Sequence, residues 1–176
     1  VCFGGQLQGG LVLKDLAPII PVLKNLNRPL DFSLAFKGQG KNVEIPLLEL
    51  SDERYLDVQG NLSLLNWDAK HDMFIQAELK NLSVTQPGIR YFMDNLTGSV
   101  PSILDRMEFV RFKGSAGGYF HDLQVGGLLQ TAAGIVDANL LINSDSDFKR
   151  TYSGGVKSKN LNLGKLLGDS KFGHTQ

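Results

Sequence analysis

The sequence predicts a mostly β protein, built from an antiparallel-rich sheet with a few short helices. Apolar and polar residues alternate over many short segments, which is the period of a strand with one apolar and one solvated face. The chain contains 20 Gly among 176 residues, a content typical of many strands joined by turns. The stretches that lose this alternation are short, and those at residues 16–26 and 86–107 contain Pro near the start of each predicted helix.

The clearest hairpin is predicted over residues 107–130. Two alternating runs flank a Gly-rich stretch, and the turn is expected at Gly117-Gly118. Arg111 and Lys113 alternate with the apolar residues of the first run, and Gln124 and Gln130 with those of the second. One predicted face therefore carries Val110, Phe112, Gly114, Leu123, Val125 and Leu129.

Further strands are predicted at residues 6–14, 30–37, 43–50, 56–64, 73–80, 136–142 and 152–159. Pro46 lies inside one of them and cannot donate a ladder hydrogen bond, so it indicates a bulge or an edge. The apolar residues change there from odd positions, Val43 and Ile45, to even positions, Leu48 and Leu50.

Short helices are predicted in three places. Residues 16–26 form the first, with Asp15 as its cap and Pro21 as a possible interruption. Residues 86–107 hold two more around a break at 95–98, each opened by Pro, and this insertion can lie over an open end of the sheet. A last helical turn ends at Gly168, and residues 144–147 read as a turn.

Charge and cysteine content exclude several classes of protein. The formal net charge is zero, from 18 basic and 18 acidic residues, so no nucleic-acid partner is expected. Cys2 is the single cysteine, which excludes an internal disulfide and a zinc motif. No apolar run is long enough to span a bilayer, and no signal peptide is recognisable.

The chain is expected to be one segment rather than several domains. It starts at Val1 in what reads as the middle of a strand, so residues 1–176 are interpreted as one segment of a repetitive β-groove protein, excised from a much longer chain. Phe-Lys-Gly recurs at 36–38 and 112–114, before a Gly-containing turn and two further strands. The repeating unit is then a group of strands with a helix.

No catalytic site is predicted. The three histidines, His71, His121 and His174, lie in turns or near the end, and no Ser or Cys stands in the context of a nucleophile elbow. No pair of carboxylates stands out, and the Gly pairs lack the sequence of a phosphate loop. The expectation is a protein that is not an enzyme and has no cofactor and no bound metal.

The apolar alternation admits two interpretations. Two sheets can close over each other as a sandwich, or one long curved sheet can leave its apolar face open as a groove suited to acyl chains. Composition does not decide between them. The residues expected to line such a groove are Phe32, Leu34, Phe36, Leu56, Val58, Leu62, Ile75, Leu79, Val110, Phe112, Leu123, Val125, Val136, Leu140 and Ile142.

The order of the segments resembles the TamB proteins of Bacteroidetes, large AsmA-like members of the translocation and assembly module family. The likeness covers nearly the whole chain and depends on the fixed succession of strand-and-turn segments, above all the Phe-Lys-Gly hairpin and the closing NLGKLLG. The segments are LVLKDLAPIIPVLK, FKGQGKNVEIPLLELSDERYLDVQGNLSLLNW, SVPSILDRMEFVRFKGSAGGYFHDLQVGGLLQTAAGIVDANLLI and YSGGVKSKNLNLGKLLGD.

This resemblance implies a curved, taco-like open β-groove with an apolar inside. It also implies a periplasmic location, with the full-length protein anchored in the inner membrane and reaching toward the outer membrane. Family members are linked to lipid transport between the membranes, to outer membrane biogenesis and to protein secretion and assembly. The implied partners are a phospholipid or another acyl-chain lipid, and a TamA-type outer-membrane barrel bound through parts of the protein not present here.

Three functions remain to be distinguished. The first is a segment of a lipid-conducting groove, and the second is a structural spacer or β-sandwich with a sealed core. The third is a binding module such as a sugar-binding sandwich, for which Tyr55, Trp67 and Tyr119 are too dispersed to predict a platform. Exposed edge strands are also expected to allow self-association of the fragment.

Overall fold

The computed structural model describes residues 2–18, 21–69, 72–119, 121–144, 150–168 and 174–175. Nine strands form one antiparallel sheet in which each strand pairs with its neighbours in sequence, and the sheet does not close. The predicted mostly β fold with an open, curved antiparallel sheet is confirmed. The strands are β1 Cys2–Val12, β2 Pro29–Gln39, β3 Asn42–Asp52, β4 Leu56–Leu65, β5 Phe74–Thr85, β6 Phe109–Tyr119, β7 Asp122–Thr131, β8 Gly134–Ser144 and β9 Arg150–Lys159.

The short helices all lie at the same end of the strands. We call this end of the sheet, together with its helices, the helical rim. Two 3-10 helices, Leu13–Leu16 and Pro21–Asn25, connect β1 to β2, and α1 (Gln86–Thr97) and α2 (Ser102–Asp105) connect β5 to β6. After β9 comes α3 (Leu163–Leu167), flanked by the two-residue strands β10 (Leu161–Asn162) and β11 (His174–Thr175). Helical segments thus recur after every fourth strand of the sheet.

The strand register divides the sheet into an apolar face and a polar face. Cross-strand partners share a face, and successive residues of a strand alternate between faces. The apolar face carries Phe3, Leu7, Leu11, Leu30, Phe32, Leu34, Phe36, Val43, Ile45, Leu48, Leu50, Leu56, Val58, Leu62, Leu64, Ile75, Ala77, Leu79, Leu82, Val84, Val110, Phe112, Ala116, Leu123, Val125, Leu129, Val136, Ala138, Leu140, Ile142, Tyr152 and Val156.

Irregularities in the ladder are concentrated in the first half of the sheet. Register shifts occur between β2 and β3, β3 and β4, β4 and β5, and β5 and β6. The shift at residues 45–48 confirms the bulge predicted at Pro46. A second extra residue lies near Lys80, where the apolar side chains of β5 change from odd to even positions. Such bulges bend a strand and increase its twist.

The buried core lies at the helical rim. Thr85 accepts a hydrogen bond from the backbone N–H of Gly88 (3.3 Å) and so caps α1, while Gly98 ends the helix in the left-handed conformation. Among the described residues, the buried apolar side chains are Leu26, Leu30, Ile89, Ala133 and Leu166. Every one of them lies in a helical segment or next to the strand ends that the helices cover.

The turn predicted at Gly117-Gly118 is wrong. Both glycines belong to β6 and pair with Gln124 and Leu123, and the chain reverses between Tyr119 and Asp122. Gly118 has a φ of +139°, and a Cβ there would lie 2.2 Å from the carbonyl oxygen of Asp122. The glycine is therefore needed for the close approach of the neighbouring backbone rather than for a turn.

The helix predicted over residues 16–26, with an interruption at Pro21, is replaced by two 3-10 helices, Leu13–Leu16 and Pro21–Asn25. Asp15 lies inside the first of them rather than at its cap, since Val12 occupies the N-cap position and makes no side-chain capping bond. Pro21 opens the second 3-10 helix, consistent with the poor fit of Pro to a helix interior. Residues 145–147 of the predicted turn lie outside the described residues.

The two helices predicted within residues 86–107 are confirmed as α1 and α2. The break predicted at residues 95–98 begins only at Gly98, because α1 continues through Thr97. The final helical turn that ends at Gly168 is likewise confirmed as α3.

Ile89→Ala is expected to lower the free energy of unfolding by about 2 kcal/mol or more, because it removes a buried side chain that fixes α1 to the sheet. Ile89 is 6% exposed, whereas Ile103 of α2 is 38% exposed. The matched control Ile103→Ala should therefore cost less than about 1 kcal/mol. Urea unfolding followed by circular dichroism measures both, and equal losses would show that α1 is not anchored as described.

Candidate functional site

The apolar face is the candidate site, and it runs without interruption across the sheet. One row of cross-strand partners passes through all nine strands. Seven of its nine members have large apolar side chains, and glycine and serine occupy the two edge positions. In order from β1 to β9 the row is Gly9, Phe32, Leu50, Val58, Leu82, Phe112, Leu129, Val136 and Ser158.

All fifteen residues that the sequence predicts to line the groove lie on the apolar face. They belong to β2, β4, β5, β6, β7 and β8, and each is half-buried rather than buried. Their position on one face follows from the register, and their contact with lipid stays a prediction.

The sequence list omitted residues from three other strands. The whole of β3 contributes to the apolar face through Val43, Ile45, Leu48 and Leu50, and the same alternation in the sequence indicates them. The edges contribute Phe3 and Leu7 on β1 and Tyr152 and Val156 on β9, which are 50–63% exposed. Glycines separate these edge residues in the sequence and weaken the pattern that would have identified them.

No second layer of described residues covers the middle of the apolar face. Extensive contacts between strands occur only between neighbours in the sheet, and no large side chain of the described residues is fully buried. This differs from a sandwich, in which two inner faces pack on each other and bury their side chains. The face is therefore open to solvent or to a ligand between the helical rim and the hairpin turns.

Phe112 lies flat on the centre of the apolar face. Its ring occupies the space above two glycines, since a Cβ on Gly114 or Gly127 would lie 2.7 or 2.4 Å from the ring. Small residues at Ala77, Ala116 and Ala138 surround the same region. The surface here is consequently smooth and consists of carbon, without polar groups projecting from side chains.

An open cavity lies where α1 and α2 overhang the apolar face. Its volume is about 330 Å³ and only apolar side chains line it. This volume is at the lower end of the range of about 300–1,000 Å³ that is usual for ligand sites. The lining residues are Leu56, Val84, Ile89, Phe92, Met93, Leu104 and Val110, so the cavity is continuous with the apolar face through β4, β5 and β6.

The opposite face is solvated and held by polar cross-strand pairs. Asn61 donates a hydrogen bond to Glu78 (2.9 Å), Gln124 donates one to Asn139 (3.3 Å), and Asn81 donates one to Asp57. Lys37 and Glu44 form an exposed salt bridge of 2.7 Å. Polar residues predominate on this face and pair with each other, although Leu47, Leu65 and Leu141 are exposed on it as well.

A charged cluster joins the helical segments to the sheet. Arg28 Nε lies 3.0 Å from Asp52 Oδ2, and the guanidinium lies over the ring of Tyr55, 4.0 Å from its centroid. The backbone N–H of Arg28 donates to the hydroxyl of Tyr91 (3.1 Å), whose ring stacks on Tyr55 at 5.6 Å. This cation–π and ion-pair arrangement connects the segment before β2, the turn after β3 and α1. The sequence gives no local signal for it.

The Asp52 carboxyl has a perturbed pKa. Burial raises the pKa, but hydrogen bonds from the backbone of Arg54 (2.9 Å) and from Arg28 outweigh this effect, and the pKa lies below its usual value. Asp52 occupies a position of the apolar face, opposite Leu56. Its pairing with Arg28 therefore compensates a charge at the margin of an apolar surface.

Other candidate chemistry is sparse in the described part of the chain. His121 stacks on the ring of Tyr119, with the centroids 5.7 Å apart, while His71 lies outside the described residues. The described residues contain no group of three or more His, Cys, Asp or Glu side chains arranged to hold a metal ion. None of the described helices has the length and apolar character needed to cross a bilayer.

Comparison of the chain with protein-family models, with curated proteins and with solved structures returned no match.

The stability of the fold is expected to fall at acid pH through Asp52. Because its pKa in the folded state is below the unfolded value, its stabilising contribution is complete above the unfolded pKa. This contribution is lost as the pH falls through the folded pKa. In the Asp52→Asn variant, the free energy of unfolding should therefore fall less between pH 7 and pH 3 than in wild type. Urea unfolding at each pH measures this. The exposed neighbour variant Glu53→Gln serves as the control, and an Asp52→Asn profile identical to wild type would contradict the assignment.

Proposed function

We propose that the apolar face binds the acyl chains of lipids and lets them move along the sheet. The observation that carries this proposal is the continuous, uncovered apolar face, on which side chains from all nine strands lie. A large contiguous apolar surface on a protein usually marks a site of interaction. No catalytic residue is needed for this function.

Hydrocarbon suits this surface because the attraction is nondirectional. Moving a methylene group from water onto an apolar surface stabilises the complex by about 0.8 kcal/mol at full burial. Side chains such as Val58, Leu82 and Phe112 present similar carbon surfaces in succession. A tail that slides from one strand to the next therefore exchanges equivalent contacts, and no position holds it strongly.

The dimensions of the sheet fit a path rather than a single pocket. Nine strands at a spacing of about 4.8 Å extend over about 38 Å in the direction across the strands. One acyl chain reaches roughly half of a hydrocarbon core of about 30 Å. The face is thus longer than one tail, and a head group can stay in water beside it while the tail moves.

The resemblance to TamB proteins supports the setting that we propose for this segment. In it, the chain is part of a periplasm-spanning envelope-biogenesis protein anchored in the inner membrane, and the groove carries lipid between the inner and outer membranes or supports assembly of outer-membrane proteins. A TamA-type barrel would be bound by other parts of the protein. A structural spacer is the competing function, and it requires no lipid on the apolar face.

Val58→Asp is expected to lower the binding of a phospholipid with a fluorescent acyl chain at least about tenfold, since a tail covering the carboxylate would remove it from water. Gln59→Asp introduces the same charge at the next residue of β4, on the polar face, and should leave binding unchanged. Fluorescence titration measures both variants, and far-UV circular dichroism checks that both are folded.

Val125→Asp and Gln124→Asp form a second matched pair on β7, where the two residues also lie on opposite faces. Loss of binding in the apolar-face variants alone supports the proposal. Equal binding by all four variants and wild type would contradict it and favour the spacer.

A further inference from the structure

The helices α1 and α2 form a roof over one part of the apolar face. In α1, Ile89, Phe92 and Met93 lie three and four residues apart and therefore share one side of the helix. Ile89 is buried, whereas Phe92 and Met93 are half-buried and line the open cavity together with Leu104 of α2. The roof of the cavity is thus built from the apolar sides of two helices.

The roof is held in place by residues that do not line the cavity. Arg90 Nε lies 2.6 Å from Asp105 Oδ1 and joins α1 to α2, and the side chain of Gln86 donates a hydrogen bond to the carbonyl oxygen of Asp105 (3.2 Å). At the start of α1, the Thr85 hydroxyl donates a hydrogen bond to the carbonyl oxygen of Arg54 (2.7 Å), in the turn between β3 and β4. These contacts fix both helices relative to the sheet, so the cavity is formed before a ligand enters it, as is usual for ligand sites.

The floor of the cavity is the outermost apolar row of three central strands. Leu56, Val84 and Val110 are cross-strand partners on β4, β5 and β6. The next row inward on the same strands consists of Val58, Leu82 and Phe112. Because this second row lies about 6.6 Å further along the strands, the cavity opens along the strand direction onto the uncovered part of the apolar face.

The lining of the cavity selects one end of a lipid. A charged head group placed there would lose its hydration without finding a polar partner, because only apolar side chains line the cavity. A hydrocarbon end has no such cost, and it removes apolar surface from water against both the floor and the roof. The volume of about 330 Å³ suits part of one acyl chain rather than a whole phospholipid.

We propose that the cavity beneath α1 and α2 holds the methyl end of one acyl chain, and that the rest of this chain lies along the strands over Val58, Leu82 and Phe112. The inference rests on the proposed binding of acyl chains to the apolar face, and it adds a fixed site and a direction. Contacts on two sides hold a tail more strongly here than the open face does on one side. The head group lies away from the helical rim, and the tail pauses beside the path across the strands.

The test places a single tryptophan at each location and quenches its fluorescence with brominated fatty acids. Trp67 is the only tryptophan of the chain, and Trp67→Phe removes it. In that background, Met93→Trp and Leu104→Trp report from two helices of the cavity, and Phe32→Trp reports from the open apolar face on β2. The probes are two forms of hexadecanoic acid below the concentration of micelle formation, brominated either at the terminal carbon or next to the carboxyl group.

At both cavity reporters, the terminal bromine should quench the fluorescence more strongly than the bromine next to the carboxyl group, with unbrominated hexadecanoic acid as the reference. At Phe32→Trp the two probes should quench to a similar extent, since a tail on the open face has no fixed position. Far-UV circular dichroism checks that each variant is folded, and the two cavity reporters lie on different helices and give independent readings.

The outcomes separate this inference from the proposed function. Quenching at Phe32→Trp with no preference for the terminal bromine at either cavity reporter would overturn the fixed site alone. Stronger quenching of the cavity reporters by the bromine next to the carboxyl group would overturn it equally. If no reporter is quenched by either probe, both the fixed site and the proposed function are overturned, because acyl chains then do not bind the apolar face.

Discussion

The structure depends on a sheet that is apolar on one face and that the described residues cover along one rim. Sheets of this kind normally bury the apolar face against a second layer, because the hydrophobic effect favours removal of that surface from water. Here the helical segments cover the strand ends near Leu30 and Thr131. The other apolar side chains of this face are half-buried in the central strands and exposed on β1 and β9. This incomplete burial links the architecture to a function in which hydrocarbon completes the covering.

Several interactions stabilise a sheet that buries so little apolar surface. Each strand pairs with its neighbours through a ladder of backbone hydrogen bonds that only the bulges interrupt, and the polar face adds cross-strand pairs such as Asn61 with Glu78. Apolar side chains also cover neighbouring backbone, as the ring of Phe112 does at Gly127. At the helical rim, Arg28 and Tyr91 bring segments far apart in sequence into contact. The small core is thus placed where the helices attach, and the middle of the sheet is free to interact.

Much of this arrangement was predictable from the sequence, because alternation reports directly which side of a strand a residue faces. All fifteen predicted groove residues lie on one face for this reason. In β3, which those fifteen omit, the phase change at Pro46 identifies the correct apolar positions on both sides of the bulge. The bulge near Lys80 has no Pro or Gly in its own strand, and only the phase change from Leu79 to Leu82 indicates it in the sequence. Gly117 and Gly118 resemble a turn in sequence, but both lie within β6, and Gly118 allows the close approach of β7. The stacking of Arg28 on Tyr55 depends on tertiary contacts, so the local sequence does not predict it.

The most direct test of the account is photo-crosslinking with a phospholipid that carries a photoreactive group in its acyl chain, followed by peptide mass spectrometry of the labelled chain. The account predicts labels at alternate positions of the central strands, on Val58 and Leu62 of β4 and on Val125 of β7, with none on Gln59, Asn61 or Gln124. Labels spread over both faces, or confined to the polar face, would contradict the claim that the apolar face receives hydrocarbon.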